Sequence, residues 1–98
     1  MGEAYPRYGE NPPPFYPERA RRKNEEGTVL LRVMVAADGS VARVEVAHSS
    51  GSDALDDAAL ETVRGRWRFV PAERGGVKVA SWVLVPIRFA LEEARTGD

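Results

Sequence analysis

A chain of 98 residues has the length of one domain, and it should bury roughly 60–70% of its unfolded surface in a single modest core. A hydrophobic share of 43% and a charged share of 30% suit a soluble globular domain, and a net charge of −1 gives no global field to recruit nucleic acid or an anionic membrane. No run of about 18 apolar residues is present, Met1-Gly2-Glu3-Ala4-Tyr5-Pro6 lacks the charged and apolar regions of a signal peptide, and the absence of Cys rules out disulfides, thiolate metal sites and thiol nucleophiles.

Residues 1–14 hold Pro6, Gly9, Pro12, Pro13 and Pro14 and little apolar content, so they are expected as a flexible Pro-rich lead with polyproline II bias at 12–14. Pro17 suits a first helical position and Gly27 a stop, which predicts a short helix over about 17–24. Its Arg19, Arg21, Arg22 and Lys23 read as a solvated face rather than a phosphate patch. From 28 to 37 the chain is a strand with Val29, Leu31, Val33 and Val35 on one face. Asp38-Gly39 is a hairpin turn, because Gly accepts the positive φ that tight hairpins demand. The return strand, 41–48, is expected to put Ala42, Val44 and Val46 inward and Arg43 and Glu45 outward.

Ser49-Ser50-Gly51-Ser52 is a loop, and Ser52 or Asp53 caps the next helix. That helix runs to about Arg66, with Leu55, Ala59, Val63 and Trp67 in one stripe that Leu60 widens. Asp53, Asp56 and Asp57 sit at its positive end and Arg64, Arg66 and Arg68 at its negative end. Trp67-Arg68-Phe69-Val70-Pro71 is an extended exit, and Glu73-Arg74-Gly75-Gly76 is a turn. Residues 92–98 read as a frayed tail after a domain spanning 15–91. The order α-β-β-α-β predicts an α+β fold, a small three-stranded antiparallel sheet with two helices packed on one face.

The last strand, 79–91, is the most telling element. It is long, β-branched and aromatic, yet Pro86 sits in its middle with no N–H to give to a ladder. Such a strand belongs at a sheet edge or a bulge. Val79, Val83, Val85, Ile87, Phe89 and Leu91 share one face, while Trp82 and Leu84 make the other more apolar than solvent requires. A long apolar edge is a hazard unless something pairs with it. Three occupants fit: an extended peptide captured by strand addition, the chain's own loops, or a second copy.

The rest of the chain offers little chemistry. His48 is the lone histidine, and its neighbours Ser49 and Ser50 lack a nucleophile-elbow motif or a group to orient the base, so a hydrolase is the weakest reading and the chain reads as a non-enzyme. Asp53, Asp56 and Asp57 lack cation-loop spacing, and helix capping explains them; Gly75-Gly76 lacks the Lys-Ser/Thr of a phosphate loop. No metal or cofactor is called for. Trp82 and Phe89 have opposite parity and cannot form one base-stacking platform, so nucleic acid is not an expected partner.

Several ordered blocks carry a resemblance. They are Tyr16-Pro17-Glu18-Arg19-Ala20, Gly27 opening a strand, Val35-Ala36-Ala37-Asp38-Gly39-Ser40-Val41, Ser49-Ser50-Gly51 before Leu55-Asp56-Asp57-Ala58-Ala59, Trp67-Arg68-Phe69-Val70-Pro71-Ala72, and Trp82-Val83-Leu84-Val85-Pro86-Ile87-Arg88-Phe89. Each is weak alone, but their order and spacing make the chain resemble the C-terminal domain of TonB-type energy transducers of Gram-negative bacteria, from about Tyr16 to Leu91. The resemblance implies a periplasmic domain whose inner-membrane anchor, outside these residues, meets a proton-driven motor, ExbB–ExbD. It implies TonB-dependent outer-membrane transporters as partners, bound through their TonB box, and cargo such as iron-siderophore, haem or cobalamin.

By the same resemblance the box lies along Ser81, Trp82, Val83, Leu84, Val85, Pro86, Ile87, Arg88 and Phe89. Auxiliary contacts fall on Pro13, Phe15 and Tyr16, and Arg19 meets acidic groups of the transporter. A homodimer through the edge strand is a competing use of the same surface. The alternative to transduction is a TonB-like envelope module with a different partner.

Overall fold

The computed structural model describes residues 2–7 and 9–91. Along the chain lie β1 (Tyr5–Pro6), α1 (Glu18–Arg22), β2 (Gly27–Val35), β3 (Val41–His48), α2 (Asp53–Arg66), β4 (Phe69–Val70), β5 (Ala72–Arg74), β6 (Val77–Val79) and β7 (Ser81–Phe89). Three antiparallel strands, in the order β3-β2-β7, form the main sheet. The expected α+β architecture is therefore the observed one.

The alternation of β2 explains its central place. Val29, Leu31, Val33 and Val35 have no exposed surface, whereas Thr28 and Arg32 are exposed. Burying each such aliphatic side chain contributes about 1.5–3 kcal/mol. They meet Leu55, Ala58, Ala59 and Val63 of α2 and Val85, Ile87 and Phe89 of β7 in one core. Ala20 of α1 is fully buried in it.

Helix α1 stops earlier than Gly27. Asn24 takes a left-handed φ of 56°, its N–H donates to the Arg21 carbonyl, and the next N–H, of Glu25, donates to the Ala20 carbonyl. That pair of bonds closes the helix end, with Asn supplying the turn that the sequence reading assigned to Gly. At α2 the cap is Ser52, whose hydroxyl accepts from the Leu55 N–H at 3.2 Å.

The β2–β3 turn depends on a glycine. Gly39 has φ +89°, and a Cβ there would stand 2.3 Å from the Phe69 carbonyl oxygen. The two backbones approach because the Phe69 N–H donates to the Gly39 carbonyl at 2.9 Å, which ties the exit of α2 to the hairpin. Asp38 accepts from the N–H and hydroxyl of Ser40 at 2.9 and 2.6 Å. The hydroxyl bond and then the backbone bond hold its carboxyl below the ordinary range.

Strand β3 corrects one expectation. Its register jumps from Met34↔Arg43 to Val35↔Val41, so Ala42 is an extra residue. The bulge turns Val41 toward the core with Val44 and Val46 and leaves Ala42 exposed. A second shift skips Ala47 between Leu31↔Val46 and Leu30↔His48.

Two short ladders were not foreseen. The turn at 75–76 is the tip of a β5–β6 hairpin, and Gly75 and Gly76 both have positive φ there. This detaches Val79 from the last long strand, which begins at Ser81. The extended exit pairs as β4 with β1, through Tyr5↔Val70 and Pro6↔Phe69. Residues 92–98, expected as a tail, lie outside the described residues.

Candidate functional site

The candidate site is the outer side of β7. This strand pairs with β2 over nine consecutive positions, from Gly27↔Phe89 to Val35↔Ser81, without a register shift. Among the described residues it has no ladder on its other side. Val85, Ile87 and Phe89 are buried beneath it, and Pro86 and Arg88 are exposed. Trp82 and Leu84 keep 44% and 60% of their surface in water, large for apolar side chains and in line with their parity.

Pro86 sets which backbone groups face outward. It lies opposite Leu30, and a proline cannot exchange the paired N–H···O bonds of a hydrogen-bonded position. The ladder keeps its bonds if that position is a non-hydrogen-bonded one. Residues of the same parity, including Trp82 and Leu84, then turn their N–H and C=O groups to the far side. The backbone there is a template for an added strand.

The Phe89 end of β7 is anchored. The Tyr16 ring meets Phe89 edge-on at 5.5 Å between centroids, under the Arg21 guanidinium at 5.4 Å. The Tyr16 hydroxyl donates to the Glu25 carbonyl. Burial, then the nearby Glu26 carboxylate, pushes this phenol above its ordinary pKa. The Leu91 N–H donates to Glu26 at 3.1 Å. At the other end the Ser81 hydroxyl is buried without a hydrogen-bond partner among the described residues.

Of the auxiliary residues, Tyr16 reaches β7 through its ring contact with Phe89. Pro13 and Phe15 line a cavity of about 340 Å³ with Glu61, Thr62 and Arg66 of α2. Arg19 lines another with Glu25 and residues 51–54. Neither cavity includes a residue of β7.

Sequence reasoning missed a different neighbour of β7. Glu3 and Ala4 line a cavity of about 580 Å³ with Arg32, Trp82, Val83 and Leu84. Pro6 shares another with Trp67, Val85 and Pro86. The lead is also held farther along: the Trp67 indole N–H donates to the Pro12 carbonyl at 2.7 Å, and the Asn11 amide brackets the Arg68 backbone at 2.9 and 2.7 Å. Prolines lack donors but keep good acceptors, and Trp67 uses one. The one available signal was a small residue, Ala4, beside a Tyr-Pro pair.

The loop before α2 is structural. Ser49 and Ser50 direct their hydroxyls to Asp56, so these oxygens are engaged in shaping the loop. Burial pushes the Asp56 carboxyl up, but bonds from Ser49 and Ser50 outweigh it and the net shift is downward. His48 is exposed at the end of β3. No group of three or more His, Cys, Asp or Glu side chains is arranged to hold a metal among the described residues.

The molecule is thus a two-layer α+β domain whose antiparallel sheet ends in an unbulged, proline-bearing edge strand. Residues 12–91 match the family model described as the Gram-negative bacterial TonB protein C-terminal, and the chain belongs to that family. It is 54% identical over 84 residues to the protein tonB2 of Pseudomonas aeruginosa, covering 86% of this chain and 31% of the relative. It is 42% identical over 79 residues to the TonB protein of Vibrio cholerae, covering 81% of this chain and 32% of that protein. The chain therefore spans about a third of the length of these relatives. The solution structure of the Pseudomonas aeruginosa TonB C-terminal domain superposes with a TM-score of 0.71 at 27% identity, covering 94% of this chain and 90% of that one. No helix among the described residues is long and apolar enough to cross a membrane.

Proposed function

We propose that this domain is the periplasmic, partner-binding end of a TonB-type energy transducer. It captures the TonB box of an outer-membrane transporter as an added strand along β7, from Ser81 to Phe89. The observation that carries this reading is the uninterrupted nine-residue register of β7, whose other side has no ladder among the described residues. Family membership supports it. In this reading the proton-driven ExbB–ExbD motor acts through a membrane anchor elsewhere in the full-length protein, and the cargo is iron-siderophore, haem or cobalamin. Pro13, Phe15 and Tyr16 serve as auxiliary partner contacts, and Arg19 meets acidic groups of the transporter.

Strand pairing suits a brief mechanical joint. Each added backbone hydrogen bond contributes only about 1 kcal/mol net at equilibrium. Loaded together along the strand they fail collectively, so a complex of modest affinity still transmits force.

The test is a titration of the isotope-labelled domain with a synthetic TonB-box peptide, followed through backbone amides. Shifts concentrated at 81–89 are expected. A folded domain with no shift at millimolar peptide would redirect the search to a different envelope partner. The same edge suits a second copy of the chain, and a dimer that persists unchanged with peptide bound would show that the two do not share β7.

A further inference from the structure

The segment Gly2–Arg7 lies beside β7 and is bonded elsewhere. Gly2 and Glu73 exchange backbone hydrogen bonds at 3.2 and 2.9 Å, β1 pairs with β4, and the Arg7 N–H donates to the Arg68 carbonyl at 3.0 Å. All of these main-chain bonds run to the strip 68–73. The other flank of the segment faces β7, and the two ascend together. Gly2 and Glu3 share a cavity with Ser81 and Trp82, then Glu3 and Ala4 share one with Trp82, Val83 and Leu84, then Pro6 with Val85 and Pro86. Ala4 is 8% exposed and belongs to the hydrophobic core, so the segment is packed onto the domain beside β7 rather than trailing in solvent. Yet it forms no ladder with β7.

We propose that residues 2–6 are an autoinhibitory strap, which occupies the space an incoming peptide strand needs along β7 and must swing away before the peptide can pair. The inference rests on the reading of β7 as the peptide-capturing edge and adds its regulation. A cover that leans on the edge without pairing to it hides the template and leaves its hydrogen-bonding capacity for the partner. The hold is light: Gly2, Glu3, Tyr5 and Arg7 are exposed, and Ala4 is the one buried side chain in the stretch. Few buried apolar contacts and solvent-exposed backbone bonds mark a segment that opens locally at low cost. The buried, unsatisfied Ser81 hydroxyl lies at the Gly2–Glu3 end of this contact. A buried hydroxyl without a partner costs free energy, so this end of the contact is not an optimised one.

A covered site weakens apparent affinity by the fraction of time it is open. The full chain has no cysteine, so a single disulfide can be placed across the Gly2↔Glu73 bridge by Gly2→Cys with Glu73→Cys. Opposed positions of an antiparallel pair suit disulfide geometry. Oxidised, this variant should bind a synthetic TonB-box peptide about tenfold more weakly than when reduced. Ala4→Asp, which expels the strap by burying a charge, should bind more tightly than the native chain. Equal affinity in all of these forms overturns the strap and leaves peptide capture standing. Absence of binding in every form, Ala4→Asp included, overturns peptide capture and the gate with it. Amide exchange at Trp82 and Leu84 without peptide gives an independent check: slower exchange in the oxidised form is expected, and identical exchange overturns the cover.

Discussion

The two edges of the main sheet are built in opposite ways. Strand β3 is broken by shifts at Ala42 and Ala47 and carries Arg43, Glu45 and His48. Strand β7 runs nine positions in one register and shows Trp82 and Leu84 to solvent. Bulges and charges are the ordinary means of stopping a sheet from growing. The bulges are spent on β3 and withheld from β7, where Pro86 and the exposed Arg88 are the restraints built into the strand. In the proposed reading such an edge is guarded reversibly, and the contrast then separates a boundary from a docking place within one small sheet.

Proline substitution breaks the comparison most sharply. Val85→Pro should remove a bond from the β2–β7 ladder and cost roughly 3 kcal/mol in urea denaturation. Next in size is Gly39→Ala, which puts a Cβ against the Phe69 carbonyl at a left-handed φ and should cost about 2 kcal/mol, read as a lowered Tm. It loosens the hairpin that carries β3 while leaving the β7 residues as they are. Leu84→Pro, one position from Val85, should change stability far less, since its N–H faces away from β2. It should weaken TonB-box peptide binding about tenfold. Equal destabilisation by the two prolines would overturn the parity argument. Glu45→Lys on β3 breaks an exposed ion pair with Arg32 and should shift stability by no more than about 0.5 kcal/mol, with peptide affinity unchanged by calorimetry.

The smallest effects are acid and alkaline ones, and they too divide the sheet. Asp38, at the β2–β3 turn, has a depressed carboxyl pKa through Ser40. Its contribution is present above the unfolded value of about 3.9 and is lost as pH falls through the folded value. Tyr16, at the end of β7, has a raised phenol pKa, chiefly through burial. Its contribution is present below the unfolded value of about 10 and is lost as pH rises through the folded value. Asp38→Asn should flatten the acid limb of a Tm–pH curve, and Tyr16→Phe the alkaline limb. A single substitution that flattened both would contradict the separation.

Much of this was legible in the residues. The alternation of Val29, Leu31, Val33 and Val35 shows β2's buried face, because the side-chain period of a strand is fixed. The stripe through Leu55, Ala59 and Val63 does the same for α2. Pro86 marks β7 as an edge through the one donor it lacks. What stayed hidden depends on distant partners. The bulge at Ala42 comes from β3's register against β2, and nothing in Ala42 itself announces it. Asn24 took the helix-ending role expected of Gly27 because Asn also tolerates a left-handed backbone. The place of Gly2 to Pro6 beside β7 rests on main-chain bonds to residues 68–73, which side-chain patterning cannot encode.

The two tryptophans give the molecule a built-in pair of optical sensors. Trp67 is half-buried, tied by its indole N–H to Pro12, with its ring 6.2 Å from that of Phe69. Trp82 stands 44% exposed on β7. Emission from the first would report any release of Pro12, and emission from the second would report the peptide capture proposed at β7. Replacing either by Phe isolates the other, so the events can be timed separately in stopped flow without any attached dye.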